Sequence, residues 1–224
     1  MKKYAIIVAG GIGSRMNAEI PKQFLPLQGR PLLMHTLEAF HNYDSHVDIL
    51  LILPKDHFSD WQQLIHTHDF QINHQILSGG DTRFDSVKNG LRAIDQEGLV
   101  AIHDGARPLI SAEVIHTCYE TAALRHNAIA AVKTKDSLRR VLNNENHAVD
   151  RSEYYIIQTP QTFDVQLIKQ AFATAEGTHF TDDASVLENY GAKIYLVEGD
   201  YANLKITTPE DMIIAEAILA CRKK

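Results

Sequence analysis

Glycines and basic residues lie close together near the start of the chain, in a spacing that could bind phosphate. Residues 9–16 read Ala-Gly-Gly-Ile-Gly-Ser-Arg-Met, and Lys22 follows shortly afterwards. Closely spaced glycines let backbone N–H groups turn toward an anion, and Arg15 and Lys22 add two positive charges. The apolar run at 4–8, which is typical of a buried parallel strand, comes directly before them. These residues therefore predict a polyphosphate-binding loop.

This loop differs from two familiar phosphate-binding motifs. It lacks the Gly-Lys-Ser/Thr ending of a P-loop, and it does not run straight from its glycines into a helix, as a dinucleotide-binding loop does. Pro21, Pro26 and Pro31 interrupt the following residues, so the first helix is predicted at 31–40 with proline in its first turn. A long open loop could wrap a triphosphate, which disfavours an NAD-dependent oxidoreductase.

A second charged motif, His-Asp-Gly-Ala-Arg-Pro at 103–108, follows another predicted strand. Asp104 could hold a metal ion or a ribose hydroxyl, and Arg107 could position an anion. Aspartate before glycine is also common in turns, where it bonds to its own backbone. Because the loop is rich in charge and ends a strand, we favour the functional interpretation.

A third motif, Gly-Gly-Asp-Thr-Arg-Phe-Asp-Ser, occupies 79–86. Asp81 is either a ligand-binding residue or the N-cap of the next helix, a position that aspartate often occupies. Ser86 lies about one helical turn further on. It is expected to face a base or ribose that is bound against the glycines.

Two polar residues precede predicted helix starts near the C-terminus. Lys205 comes shortly before Thr-Pro-Glu-Asp at 208–211, which has a capping box and proline in the first turn. Lysine is unfavourable at the positive end of a helix dipole unless an anion is shared there, so Lys205 is either an anion-binding residue or an exposed surface lysine. Thr181, before Asp-Asp-Ala-Ser, is either a ligand contact or only a helix cap.

Strand-like and helix-like segments alternate in a way that positions these motifs together. Helices are predicted at 31–40, 61–68, 83–94 and 114–124, and strands at 4–8, 47–53, 75–77, 99–102 and 128–132. This order predicts an α/β fold with a mostly parallel sheet and helices on both faces. Ligands of such sheets bind at the carboxyl ends of the strands, so the motif-bearing loops should meet at one edge.

The alternation stops at about 134–155, which reads as a β-hairpin. Residues 135–141 alternate polar and apolar, and Asn-Asn-Glu-Asn at 143–146 is a turn signal. A lone two-stranded hairpin is marginal in water. We therefore expect an arm that packs on a second subunit, which predicts a homodimer.

The bulk composition is that of a globular chain, and we expect 1–224 to form a single domain with this arm. The net charge of −6 argues against nucleic-acid or membrane-surface partners. Cys118 and Cys221 form neither a disulfide framework nor a metal-ligand pair, which favours the cytoplasm. No signal peptide or membrane-spanning run is expected. The 12 histidines fit no zinc motif, and we assign none of them a catalytic role.

Seven motifs, in this order, resemble those of the cytidylyltransferases that activate 2-C-methyl-D-erythritol 4-phosphate in non-mevalonate isoprenoid synthesis. The resemblance covers nearly the whole chain. The motifs are Ala9-Gly10-Gly11-x-Gly13-x-Arg15-Met16, Pro21-Lys22-Gln23, Gly79-Gly80-Asp81-x-Arg83-x-Asp85-Ser86, His103-Asp104-Gly105-Ala106-Arg107-Pro108, Gln158-Thr159-Pro160-Gln161, Thr181-Asp182-Asp183-Ala184-Ser185 and Asn203-x-Lys205-Ile206-Thr207.

The resemblance implies a Rossmann-like nucleotidyltransferase sheet, CTP and a small polyol phosphate as substrates, and a homodimer. It also implies Mg²⁺ held mainly by the CTP phosphates, with Asp104 as a candidate ligand. The implied catalytic residues are Arg15, Lys22, Arg151 and Lys205, of which Arg15 and Lys22 hold the triphosphate. The implied cytosine and ribose pocket comprises Ala9, Gly10, Gly11, Gly13, Gly80, Asp81 and Ser86.

The implied sugar-phosphate site has two parts. Asp104, Arg107 and Lys205 surround the methylerythritol phosphate, and Ser137, Arg151 and Thr181 match positions that complete this site from the partner subunit's arm. The family more often has threonine at the position of Ser137, and the hydroxyl is kept. The expected reaction is an in-line attack of the substrate phosphate on the α-phosphorus of CTP, with no covalent enzyme intermediate.

Three alternatives remain open at the level of sequence. A ribitol-5-phosphate cytidylyltransferase would have much the same architecture. A sugar-nucleotide pyrophosphorylase shares the glycine and arginine loop but generally has a longer chain. A non-catalytic nucleotide-sensing module would be expected to have lost Lys22, Asp104 or Lys205, all of which are present.

Overall fold

A seven-stranded sheet forms the centre of the computed structural model, which describes residues 1–10, 20–177 and 179–222. The strands of the described residues are β1 (Lys3–Val8), β2 (Pro26–Leu27), β3 (Arg30–Pro31), β4 (Asp48–Leu53), β5 (Gln75–Ser78), β6 (Leu99–Asp104), β7 (Asn127–Lys133), β8 (Arg139–Leu142), β9 (Glu145–Ala148), β10 (Tyr155–Asp164) and β11 (Leu196–Glu198). The order in the sheet is β11-β7-β10-β6-β1-β4-β5. Only β10 is antiparallel to its neighbours, which confirms the mostly parallel sheet.

Helices cover both faces of this sheet. They are α1 (Leu32–Tyr43), α2 (Phe58–Thr67), α3 (Arg83–Arg92), α4 (Ala112–Arg125), α5 (Val165–Thr174), α6 (Asp183–Asn189) and α7 (Pro209–Arg222). One core cluster joins α1, α2 and α4 to the sheet, and a second joins α3, α5 and α6 to its other side. None of the helices in the described ranges is long and apolar enough to cross a membrane.

The central strand β1 shows why its sequence forms a buried parallel strand. Ala5 and Ile7 belong to the first core cluster, whereas Tyr4 and Ile6 belong to the second. Ile6 and Ile7 are both fully buried, and each such side chain contributes about 1.5–3 kcal/mol relative to an exposed one. Apolar residues on both faces account for the uninterrupted hydrophobic run, which ends just before Ala9 and Gly10.

The predicted arm is present as the hairpin of β8 and β9. Asn143 and Asn144 join the strands with φ angles of 51° and 64°, the left-handed conformation that asparagine tolerates well in hairpin turns. All the residues of both strands are exposed, including Val141 at 69% and Leu142 at 57%. The hairpin therefore projects from the sheet, as predicted.

Candidate active site

Two adjoining cavities lie at the carboxyl ends of the parallel strands. The first has a volume of about 200 Å³, and its described lining includes the ends of β1 and β6 and the loop before α3. The second, of about 270 Å³, lies between β10, the loop before α6 and the end of β6. Arg83, Asp104 and Lys205 line both cavities. A ligand in one cavity can therefore approach a ligand in the other across this shared wall.

The predicted site residues that the structure describes are divided between these two cavities. The first cavity is lined by Ala9, Gly10, Lys22, Gly80, Asp81 and Ser86, and the second by Arg107 and Thr181. Gly11, Gly13 and Arg15 lie outside the described residues. Ser137 and Arg151 are exposed and line neither cavity within this subunit. Arg151 instead donates from Nη1 to the carbonyl of Lys135, 2.6 Å away, at the base of the arm.

The glycine loop before α3 is held by the first turn of that helix. The Gly80 N–H donates to Ser86 Oγ over 3.1 Å. Thr82 is the N-cap and forms a capping box with Asp85, so Asp81 is not the cap and lines the first cavity instead. A Cβ at Gly80 would lie 3.1 Å from the carbonyl carbon of Asp85, and closer still to its Cβ. This close approach of backbone to helix requires glycine.

Asp104 lies among three cationic side chains. Its carboxylate is 2.9 Å from Lys205 Nζ, 3.4 Å from Arg107 Nε and 3.5 Å from Arg83 Nε. Burial alone would raise the pKa of Asp104, but the charges of Arg83 and Lys205 outweigh it and hold that pKa well below its usual range. The carboxylate therefore stays ionised and orients the cations around both cavities.

Lys205 is placed by the residue that follows it. Ile206 is fully buried against Leu27 and Leu109, and its N–H donates to the carbonyl of Ala106 over 2.8 Å. This contact fixes Lys205 beside the end of β6. In the structure, Asp104 is an anion that lies beside Lys205 at this helix start.

Lys22 also lines the first cavity and approaches the residue that follows Lys205. Its Nζ lies 3.3 Å from the carbonyl oxygen of Ile206. Two residues later, Phe24 is buried and stacks on Trp61 with ring centroids 5.9 Å apart. Gln23 between them is also buried, and its Nε2 has no hydrogen-bond partner in the structure. The short helical turn of 22–24 is thus anchored in the core, which orients Lys22.

Arg83 and Asp183 form an ion pair to which the sequence analysis gave no role. Arg83 donates from Nη1 and Nη2 to the two carboxylate oxygens of Asp183 over 2.8 and 2.7 Å. The Asp183 side chain is only 1% exposed; burial raises its pKa, and Arg83 opposes that rise. Arg83 lies in the motif at 79–86 and Asp183 in the motif at 181–185. Because the two residues are 100 positions apart, local spacing in the sequence cannot show that they pair.

Arg107 is held by two further residues that the sequence analysis left without a role. Its Nη1 donates to the carbonyl of Asn203 over 2.8 Å. Asn203 is fully buried and donates from Nδ2 to the carbonyl of Thr159, also over 2.8 Å. Burial lowers the pKa of Arg107, and Asp104 opposes that change. The motifs at 158–161 and 203–207 therefore act as supports for the second cavity.

Four cationic side chains line the two cavities within the described residues, although the net charge of the protein is −6. They are Lys22, Arg83, Arg107 and Lys205. Concentrated positive charge around two joined cavities suits two phosphate-bearing ligands, one in each cavity. The shared wall can stabilise charge that develops between them.

Comparison with known proteins agrees with this geometry. The family model described as 2-C-methyl-D-erythritol 4-phosphate cytidylyltransferase, IspD, matches residues 4–221. The chain belongs to this family. Among its relatives, the cytidylyltransferase of that name from Bacteroides thetaiotaomicron is 48% identical over 219 residues, which cover 98% of this chain and all of the relative. The Bacteroides fragilis protein of the same name is 47% identical over the same coverage.

Solved structures of the family share the fold over nearly the whole chain. The 4-diphosphocytidyl-2C-methyl-D-erythritol synthase of Anaerococcus prevotii has a TM-score of 0.85 and 32% identity, covering 98% of this chain and 96% of the other. The family member from Thermus thermophilus has a TM-score of 0.82 and 31% identity, covering 98% and 100%. The enzyme class and fold predicted from the motifs are confirmed.

Proposed function

We propose that this chain transfers the cytidylyl group of CTP to 2-C-methyl-D-erythritol 4-phosphate, giving 4-diphosphocytidyl-2-C-methyl-D-erythritol and pyrophosphate. The observation that carries this proposal is the pair of adjoining cavities that share Arg83, Asp104 and Lys205. In a chain of this family, the first cavity suits the nucleotide and the second suits the polyol phosphate. The product would serve non-mevalonate isoprenoid synthesis.

In this reaction a phosphate oxygen of the polyol phosphate attacks the α-phosphorus of CTP in line, and pyrophosphate leaves. Lys22 and Lys205, which both line the first cavity, would neutralise the charge that develops at that phosphorus. Asp104 would orient Lys205 and Arg107, and Arg107 and Thr181 would hold the second substrate. No enzyme nucleophile is needed; the buried Cys118 is unsuited, because burial raises the pKa of its thiol to about 12.

The residues that line the two cavities are compatible with a Mg²⁺ ion that is bound chiefly by the phosphates of the nucleotide. The described residues contain no cluster of three or more histidine, cysteine, aspartate or glutamate side chains that could hold a metal ion. Asp104, ionised at the shared wall, is the carboxylate best placed to add one protein oxygen to a metal carried by the triphosphate. Bound there, Mg²⁺ would neutralise charge on the phosphate oxygens.

The first cavity should select cytosine through hydrogen bonds to its amino edge. Its polar lining includes Ser86, the Gly80–Asp81 loop and the buried amide of Gln23. Buried polar groups that lose a partner reject the wrong analogue strongly, so kcat/KM for CTP should exceed that for UTP by about 10²-fold or more. Pyrophosphate release measures both, and dCTP is the control that keeps the cytosine. Equal values for CTP and UTP would contradict this placement of the base.

The working form is proposed to be a homodimer in which each arm completes the partner's second cavity. The arm and its base expose several large apolar side chains, among them Val141, Leu142, Tyr154, Tyr155 and Ile156. Exposed apolar side chains grouped in one segment of a chain are typical of a protein interface. Ser137 and Arg151, which lie apart from the cavities of their own subunit, would then reach the partner's polyol phosphate. The expected location is the cytoplasm, since both cysteines are free thiols.

Complementation between two inactive variants tests this arrangement. Arg151→Ala and Lys22→Ala should each abolish most activity alone. Mixed in equal amounts and allowed to exchange subunits, they should recover about a quarter of wild-type activity, because half of the dimers then hold one intact site of two. Sedimentation velocity should show the dimer. An active monomer, or no recovery from a verified mixed dimer, would contradict an arm that acts across subunits.

A further inference from the structure

His103 is fully buried at the end of β6, directly before Asp104, and both of its ring nitrogens have partners. Nε2 lies 3.1 Å from the carbonyl oxygen of Arg107. Nδ1 lies 3.1 Å from Thr159 Oγ1, and the same Oγ1 accepts the backbone N–H of Asp104 over 3.0 Å. The His103 side chain therefore links Asp104 and Arg107, which both border the second cavity, through one continuous hydrogen-bond network.

The chemistry of the partners fixes every proton in this network. A carbonyl oxygen can only accept, so Nε2 of His103 carries the proton that it donates to Arg107. With the proton on Nε2, Nδ1 is the ring nitrogen with a free lone pair, so it accepts. The Thr159 hydroxyl must then donate to Nδ1 while it accepts from Asp104.

The network replaces a backbone bond that the sheet lacks at this point. β6 and β10 pair from Asp164 to Gln161, where their ladder ends, and the pairing of β10 with β7 is irregular between Gln161 and Ile157. The N–H of Gly105 bonds on the other side, to the carbonyl of Val8 at 2.8 Å. The Thr159 side chain thus takes the position of a strand partner for Asp104, and His103 holds that side chain in place.

We propose that His103 is a positioning residue for the transfer reaction: its Nε2–H tautomer positions Asp104 through Thr159 and positions Arg107 through the Arg107 carbonyl. This proposal rests on the roles of Asp104 and Arg107 in the proposed function. Asp104 borders both cavities, whereas Arg107 borders only the second. The two halves of the network therefore have separable effects on catalysis.

Two isosteric variants separate these halves. Asparagine can place an acceptor at the position of Nδ1, and glutamine can place a donor at the position of Nε2. His103→Asn keeps the Thr159 half, so it should raise KM for the polyol phosphate by about 5- to 20-fold, the scale of one lost hydrogen bond, with kcat close to wild type. His103→Gln keeps the Arg107 half and should lower kcat by a similar factor. KM for CTP should change less than about twofold in His103→Asn.

Thr159 provides the matched pair for the shared atom. Thr159→Val removes the hydroxyl at nearly constant volume and should reproduce the loss of kcat seen in His103→Gln. Thr159→Ser keeps the hydroxyl and should restore most of that loss. In the double variant of His103→Gln with Thr159→Val, the two losses should not add, because they interrupt the same connection.

A spectroscopic readout separates this proposal from the assignment of the reaction. The ¹⁵N chemical shifts of His103 in the wild-type protein should show an unprotonated Nδ1 and a protonated Nε2 from pH 6 to 8, whatever substrate the enzyme uses. A protonated Nδ1 would overturn the proposal. The proposal would also be overturned if the asparagine and glutamine variants showed the same change in kcat and the same changes in KM for both substrates, together with a lowered Tm. His103 would then have a purely structural role. An inactive wild-type enzyme with the expected tautomer would instead refute the proposed function.

Discussion

Lys22→Ala should lower kcat for cytidylyl transfer by about 10²–10³-fold, the scale seen when one donor to a transition state is lost. Lys22 lines the nucleotide cavity and lies 3.3 Å from the Ile206 carbonyl, directly beside Lys205 in the chain. Alanine removes one of the cationic side chains that line this cavity. The measurement is steady-state pyrophosphate release at saturating CTP and polyol phosphate.

Lys193→Ala is the matched control, because Lys193 is exposed, lies outside both described cavity linings and has its Nζ 5.3 Å from the centroid of the Tyr195 ring. It should leave kcat unchanged within about twofold. Lys22→Ala should also keep a wild-type Tm, since the anchoring residue of its turn is Phe24. Wild-type turnover in Lys22→Ala would remove Lys22 from the mechanism.

Arg83→Met should destabilise the fold by about 3–5 kcal/mol, as expected when one partner of a buried ion pair is removed. Asp183 would be left 1% exposed without its bidentate partner, and Asp104 would lose one of three cations. Without Arg83 the pKa of Asp183, already raised by burial, should rise further. The carboxyl then binds a proton on folding, so the deficit should shrink as pH falls toward the ordinary carboxyl range.

Urea unfolding at several pH values measures this effect. Arg92→Met, on the exposed last turn of the same helix, should change the free energy of unfolding by less than about 0.5 kcal/mol. Adding Asp183→Asn to Arg83→Met removes the buried charge and should recover part of the loss. An Arg83→Met variant as stable as the wild type would show that Asp183 tolerates its burial without this partner.

The sequence predicted those features that local patterns encode. The apolar runs of β1, β4 and β6 identify parallel strands because both faces of each are buried. Asn143 and Asn144 identify the hairpin turn because few other residues tolerate its left-handed backbone. The motif loops were correctly placed at one edge, because parallel strands end on the same side.

Features that depend on distant partners were not predicted. The strand β10 was not predicted because Gln158, Thr159 and Gln161 are polar yet buried, which breaks the alternation that identifies a strand. Asp81 and Thr181 each had a helix cap as an alternative, but Thr82 and Asp182 occupy those positions. His103 was assigned no role, since nothing in its local sequence shows that both ring nitrogens are bonded inside the core.

Pyrophosphate release from CTP with Mg²⁺, comparing 2-C-methyl-D-erythritol 4-phosphate with ribitol 5-phosphate, tests the central claim most directly. The second cavity, bordered by Arg107 and Thr181, should favour the methylerythritol substrate, with a kcat/KM at least about tenfold higher. A preference for ribitol 5-phosphate would keep the fold and the nucleotide site but contradict the proposed substrate. No release with either substrate would contradict the account and favour a nucleotide-sensing module.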